Sequence, residues 1–453
     1  MNPRCSLTAL ANVGTEAPTR IETTIRHPTL PPRPGPSSAL DTEHSLVFAG
    51  MRALETYQLE FVFFDEAGQV AGTATQDFTT GALPLMTPPN VVMSTMEADD
   101  GVLTLFGAAP KTLSTPGEIL DEPLVVAVDR SGEVVWYLEN PGIQAVFAPR
   151  DLWMRDDGTF MALTPGGALV ADLAGEVVQK IRSPDPDIYF HHDIIDLPQG
   201  GFATLGGVRR YAEVPQLGGE VLLREDQIIE LDEDGEIVWQ WSTFEHLDTT
   251  RFPGPLSLNP LSGSGLEPLY DWTHANAVQY LPSDNTYLIS LRHQNWVLKV
   301  SRETGEVVWR LGPEGDFELL DGEEAPAQWF YNQHNPGVYE DGVLTLYDNG
   351  NERPGTDERY TRVVSYALDE TAMTATQVWS SVTPNYMSFL GGVEPSATGD
   401  WLIAAGGNRD EAVPAEIYEV AANAPQTPTW GLSYPTAVIY RAHQVPSLYV
   451  DAP

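Results

Sequence analysis

Apolar and polar residues alternate along most of the chain in runs of strand length, broken by Gly, Asp and Asn turns, and no long 3.6-residue periodicity competes with them. The pattern predicts an all-β protein. From His44 to Phe64 the alternating positions include Tyr57, Leu59, Phe61 and Phe63, followed by the turn Asp65-Glu66-Ala67-Gly68 and a strand pattern through Phe78. From about residue 90 the sequence repeats itself. One phrase is Gly-Glu, an apolar pair and usually Trp: Gly132 to Trp136, Gly175 to Val178, Gly235 to Trp239 and Gly305 to Trp309, with a degenerate copy at Gln377-Val378-Trp379. The other is a strand, a tight turn and a second apolar strand. Its turns fall at Asp100-Gly101, Asp157-Gly158, Gln199-Gly200, Asp284-Asn285, Asp341-Gly342 and Gly399-Asp400, spaced by 57, 42, 85, 57 and 58 residues.

Six such hairpins, each with room for a four-stranded sheet, predict a six-bladed β-propeller over residues 89–453, closed by the strand at Ala437 to Arg441. Residues 1–88 read as a small N-terminal β-sandwich domain. Leu54, Thr56 and Tyr57 resemble a fibronectin type III strand with its tyrosine corner, Pro31, Pro32, Pro34 and Pro36 mark a loop, and Pro84, Pro88 and Pro89 mark the exit linker.

Composition adds limits on partners. Hydrophobic residues make up 42% of the 453 residues, enough for a core, while 64 Asp+Glu against 24 Lys+Arg give a formal charge of −40. That acidity excludes a partner held by phosphate neutralisation and disfavours an anionic membrane surface. No apolar run is long enough for a membrane span. The single cysteine, Cys5, excludes an internal disulfide and a Cys-based zinc site; it reads as a small buried residue, with a lipid-anchored N-terminus as the alternative.

Propellers carry function on inner strands and the loops beside the central channel. His191, His192, His274 and His334 begin three consecutive inner hairpins, in Phe190-His191-His192-Asp193, Asp271-Trp272-Thr273-His274-Ala275-Asn276 and Asn332-Gln333-His334-Asn335-Pro336-Gly337. Strand alternation predicts that His274 and Asn276 face one side, and that only one of His191 and His192 faces the axis, with His192 favoured. Arg292, returning on the next strand toward His274, adds a permanent cation, so the group predicts a local anion site suited to sulfate, phosphate or carboxylate. A metal is opposed by the Arg292 charge, and no cofactor motif is present. His27, His44, His246 and His443 read as surface residues and His293 as structural. The Trp residues of the repeats read as core, with Trp272 or Trp329 as candidates for the channel mouth.

The segments FHHD, DWTHANAV with SLRHQNWVLKVSRETGEVVWRLG, and QHNPG with VLTLYDNGN resemble the bacterial arylsulfate sulfotransferase family, PAPS-independent enzymes with an N-terminal β domain and a six-bladed propeller. The resemblance spans nearly the whole chain and is strongest from His191 to Asn351. It implies transfer of a sulfuryl group from an aryl sulfate to a phenol by a ping-pong cycle, with His334 as the nucleophile, His274 and Arg292 on the sulfuryl oxygens, and Asn276 and His191 in substrate binding. His192 would bind a sulfuryl oxygen or shuttle the phenol proton. It also implies a periplasmic or extracellular setting, with a homodimer as the assembly to test. Two features depart from the family: enterobacterial members carry a disulfide near the site, which one cysteine cannot supply, and the strong acidity is no family requirement. A sulfate-ester hydrolase and a non-catalytic anion-binding propeller are the alternatives.

Overall fold

The computed structural model describes residues 2–84, 90–94, 101–111, 125–140, 152–164, 167–255, 260–261, 267–321, 328–340, 342–355, 359–408, 410, 412–435 and 437–450. These residues are almost entirely β. The strand Ala9–Arg26 pairs with Ser38–Phe48 along its first half and with Thr56–Phe64 along its second, shifting register between Gly14 and Ile21. The two halves of the expected sandwich are therefore one hydrogen-bonded sheet, with Arg33–Pro34 and Val70–Thr79 added, folded over a core of Ile21, Ile25, Leu46, Phe48, Leu59 and Phe61. The tyrosine corner is formed: the Tyr57 hydroxyl accepts the Arg52 backbone N–H at 2.8 Å. The expected boundary at 88/89, together with Pro88, Pro89, Asp100 and Asp341, lies outside the described residues.

Beyond this unit the described residues form six mainly antiparallel sheets, and neighbouring sheets touch in cyclic order around a ring. This is a propeller arrangement. In most sheets the first strand in sequence lies innermost and the fourth outermost, as in Leu152–Met154, Phe160–Thr164, Gly167–Ala171 and Val177–Arg182. The Gly-Glu phrases form outermost strands, each entered by a glycine at positive φ, including Gly132, Gly175, Gly235 and Gly305. Alternation on an edge strand leaves the middle Val exposed at Val178, Val238, Val308 and Val378. Val135 is fully buried instead, because Cys5, Leu7 and Ala49 of the N-terminal unit pack onto that sheet. Arg52 pairs with Asp129 at 2.7 Å and the Ser6 N–H donates to the Tyr137 hydroxyl, fixing the same contact.

Ring closure uses both ends of the propeller segment. Ala437–Val445 is the innermost strand of the sheet that continues with Leu103–Pro110, Val125–Val128 and Val134–Leu138. Asn90–Ser94 instead pairs with Pro428–Tyr434 at the outer edge of the preceding sheet, so it does not form the hairpin expected around Asp100-Gly101. The inner strands are too splayed for a continuous ladder. Side chains bridge them: Asp193 accepts the Val278 N–H at 2.8 Å, Gln279 accepts that of Val338 at 2.9 Å, and Asn335 accepts that of Val393 at 2.8 Å.

One hairpin is longer than the rest. Phe202–Val214 and Gly219–Leu231 run 13 residues each, and the outer part of the second pairs in parallel with Leu269–Asp271. That overhang carries Arg224, Asp226 and Asp271 to the side of the ring where the inner strands begin.

Candidate functional site

The inner strands start irregularly. Register slips between His191 and Ile194, Ala275 and Ala277, His334 and Gly337, and Ile439 and Ala442. Each bulge turns side chains toward the axis that a regular strand would bury between sheets. His192, His274 and Asn335 take left-handed backbone, with φ of 60°, 48° and 46°. Such strain persists where surrounding structure imposes it, often at functional sites.

His334 is buried and donates from Nδ1 to Asn349 Oδ1 at 2.6 Å. The direction is fixed because Asn349 Nδ2 donates to the Met387 and Leu390 carbonyls, both at 2.9 Å, leaving Oδ1 as acceptor. A proton on Nδ1 leaves the lone pair on Nε2. Burial and then the Arg292 charge hold His334 well below the ordinary imidazole range, so the ring is neutral.

Arg292 supplies the cation. It follows the strand Thr286–Leu291 in a short 3₁₀ turn, donates to His293 Nε2 at 2.8 Å and to the Ser388 carbonyl at 3.0 Å, and makes no ion pair among the described residues. Burial lowers its guanidinium to about 10, still charged at neutrality, and its Nε is buried without a hydrogen-bond partner. Asp271 and Glu352 act on it only from a distance, so a buried guanidinium with no carboxylate in direct contact stays costly, and a bound anion would offset that cost. His293 donates from Nδ1 to the Asp271 carbonyl at 2.6 Å and stacks on His274 with ring centres 4.5 Å apart. Burial, then His274, push His293 down to about 3.

His274 donates from Nδ1 to Asp271 Oδ2 at 2.6 Å, and Arg224 holds Asp271 from the other side at 2.7 Å. Burial lowers His274 despite that carboxylate, while His274 and Arg224 hold Asp271 well below the usual range although burial opposes this. The Asp271, His274 and His293 ligand atoms lie within 4.8 Å of one another. Both His293 nitrogens are already engaged, and the Arg292 charge opposes a cation there.

His192 meets His274 edge to face at 4.9 Å, and the Tyr440 ring lies 6.1 Å from His192 and 6.0 Å from His334. Tyr440 donates to the Asn276 carbonyl at 2.9 Å, and Arg441 pairs with Asp193 at 3.1 Å. The strands thus bring His192, His274, Arg292 and His334 together with Tyr440. A cavity of about 800 Å³ opens farther along the same strands, lined by Asp193, Gln279, Asn335, Glu394 and Arg441. None of the four cluster residues lines it, so the cluster and this cavity occupy different stretches of the axis.

Several sequence expectations change. Asn276 does not present its amide to the cluster: at the bulge, Nδ2 donates to the Gln333 carbonyl at 2.7 Å, so strand alternation fails there. His191 turns its nitrogens inward rather than toward substrate: one meets His192 at 2.8 Å and the other lies 3.0 Å from Asp226. His44 is buried between Ser38 and Thr19 rather than exposed, and His443 pairs with Glu394 at 2.7 Å on the cavity wall. Trp272 is a core residue donating to the Arg251 carbonyl at 3.0 Å, and Trp329 packs on Phe330 and Tyr366, so neither forms a channel mouth. Sequence reasoning missed Asp226, Asn349 and Tyr440. Asp271 stood three residues before His274, Asn349 within VLTLYDNGN and Tyr440 within the closing strand, but no local spacing marked their contacts.

A propeller whose axis holds a neutral imidazole beside a buried guanidinium offers a setting suited to a compact anion. The model of the arylsulfotransferase (ASST) family matches residues 107–441, and the chain belongs to that family. It is 26% identical over 337 residues to arylsulfate sulfotransferase AssT of Escherichia coli O6:H1 and 25% identical to AssT of Lelliottia amnigena, covering 61% of this chain and 55% of each relative. The chain spans about half the length of these relatives. Among solved structures, a Bacteroides caccae protein of unknown function aligns at TM-score 0.45 and 12% identity over 76% of this chain and 98% of its own. The periplasmic gluconolactonase PpgL of Pseudomonas aeruginosa aligns at 0.39 and 10% over 94% and 99%.

Proposed function

We propose that the protein is an aryl sulfotransferase that moves a sulfuryl group from a phenolic sulfate ester to a phenol, working in the periplasm or outside the cell. The observation that carries this reading is His334: a buried neutral imidazole, its Nδ1–H tied to Asn349, beside the Arg292 cation. His334 Nε2 attacks sulfur, the bond from sulfur to the aryl oxygen breaks, and the departing phenolate takes a proton from the site. An acceptor phenol then attacks the sulfohistidine sulfur, the N–S bond breaks, and the phenol proton passes to a base, which restores the enzyme.

Sulfuryl transfer, like phosphoryl transfer, depends mainly on positioning and on stabilising charge spread over the non-bridging oxygens. Arg292 supplies permanent charge. His274 supplies more once the bound anion draws a proton onto Nε2, with Asp271 balancing the imidazolium. His192 serves the phenol oxygen.

The test is incubation with 4-nitrophenyl sulfate, with and without an added phenol. Acceptor-dependent release of 4-nitrophenol is the expected result; release regardless of acceptor would instead make the protein a sulfatase, and no release from folded protein would remove the reading for that donor. His334→Ala should abolish both turnover and acid-labile sulfuryl labelling of the chain.

A further inference from the structure

Behind His192 lies a second buried layer that sulfotransfer at His334 does not require. His192 Nδ1 meets His191 Nδ1 at 2.8 Å, and His191 Nε2 lies 3.0 Å from Asp226 Oδ1, close enough for a charge pair although off the line of a straight hydrogen bond. All three residues are buried. Asp226 Oδ2 is already held by the Thr273 hydroxyl at 2.5 Å and the Ala275 N–H at 2.6 Å, which leaves Oδ1 to His191. Burial alone would raise the Asp226 carboxyl, but His191 and Arg224 bring it below its ordinary value, so it is ionised.

An ionised Oδ1 at 3.0 Å favours the His191 tautomer with its proton on Nε2. The lone pair of His191 then sits on Nδ1 and accepts from His192 Nδ1–H, which makes Nε2 the basic atom of His192. The stack has space built for it: a Cβ on Gly207 would stand 3.3 Å from His191 Cδ2, and Tyr189 stacks on the other side at 6.0 Å. Among the described residues, the charged or titratable groups facing this row include Arg224 and Asp271, which pair with each other and both act on Asp226, His274 against His192, and Tyr440.

Resting on the sulfotransfer reading, we infer that Asp226, His191 and His192 form a proton relay that serves the phenol oxygen in both half-reactions. An acceptor phenol gives its proton to His192 Nε2 while His192 Nδ1–H passes to His191 Nδ1. The positive charge thereby comes to rest on His191 against the Asp226 carboxylate, one ring farther from Arg292. In the donor half-reaction the same proton returns through His192 to the departing phenolate, so none is gained or lost over a cycle. Asp226 and His191 are positioning residues in this scheme, acting through His192.

Phenyl sulfate needs that proton to release its poorly stabilised phenolate; 4-nitrophenyl sulfate needs it far less. His191→Asn keeps an acceptor for His192 Nδ1–H but cuts the link to Asp226, and Asp226→Asn removes the charge. Each variant should slow sulfuryl loss from phenyl sulfate at least about 30-fold more than from 4-nitrophenyl sulfate, within the range general acid catalysis supplies. Equal slowing with both esters, in a variant that unfolds at the wild-type temperature, would assign His191 and Asp226 a structural role and overturn the relay. Should Asp226→Asn fail to fold, His191→Asn decides alone. Wild-type protein inactive on both esters would overturn the sulfotransfer reading itself, and the relay with it.

Discussion

His334 differs from His274 in that its Nδ1 is tied to a neutral acceptor, Asn349, rather than to a carboxylate, so the tautomer with its lone pair on Nε2 is selected without adding charge. Asn349→Ala removes that acceptor and also frees the Met387 and Leu390 carbonyls, and should lower kcat by about 10- to 100-fold, in line with a lost buried hydrogen bond of about 1–3 kcal/mol. Steady-state rates on 4-nitrophenyl sulfate check this, and an unchanged kcat would remove Asn349 from the chemistry. His274, His293 and His334 are all held below their ordinary range, chiefly by burial. The unfolded chain takes up these protons near pH 6.5 while the folded chain resists. Stability is therefore full above about pH 6.5 and falls as pH drops below it, by up to about 1.4 kcal/mol per pH unit for each ring. Urea midpoints at pH 7.5 and 5 measure the effect; a flat profile would contradict neutral buried rings. His192, His274 and His334 were legible in sequence because polar residues opening apolar strands stand out, and Arg292 because it ends the apolar strand that returns toward His274. Asp226 and Asn349 were not, since each reaches its partner from a separate strand and no local spacing marks the contact.

At the scale of elements, the outer strands announced themselves and the inner strands did not. Gly-Glu phrases recur because every outer edge meets the same demand, a tight turn followed by one buried face. Inner strands meet individual demands, and their bulges follow no shared motif. The alternation rule consequently misdirected Asn276 and could not foresee the left-handed backbone at His192 and His274. That backbone has its own test. His274→Val should lower stability by about 1–2 kcal/mol more than His274→Asn, because a β-branched side chain resists positive φ whereas Asn tolerates it. Paired thermal melts of the two variants provide the comparison; equal melting would mean that the φ at this position carries no strain. The long hairpin from Phe202 to Leu231 was also invisible, because a 13-residue strand reads as two ordinary ones until its partner Leu269–Asp271 is seen.

At the scale of the whole molecule, a chain of formal charge −40 surrounds a small cationic centre. On the proposed reading, a sulfate ester would approach against the outer field and be held by contacts at Arg292 and its neighbours. Raising ionic strength from a few millimolar to 0.15 M shortens the Debye length to about 8 Å, so kcat/KM for an anionic donor should rise over that interval. A fall would show that long-range attraction, and hence some cationic surface, governs capture. The repeats and the acidity were legible from sequence, but the seam of the ring was only half so: Ala437 to Arg441 was expected to close it, while the outward pairing of Asn90–Ser94 depends on a partner more than 300 residues away. That seam also sets an order of events during synthesis. Residues 437–445 leave the ribosome after every other described strand of the ring, and they carry Tyr440 between His192 and His334 together with Arg441 against Asp193. On the proposed reading, a nascent chain would therefore lack a finished site until that strand docks, and shorter translation products would carry the cluster without its Tyr440 wall.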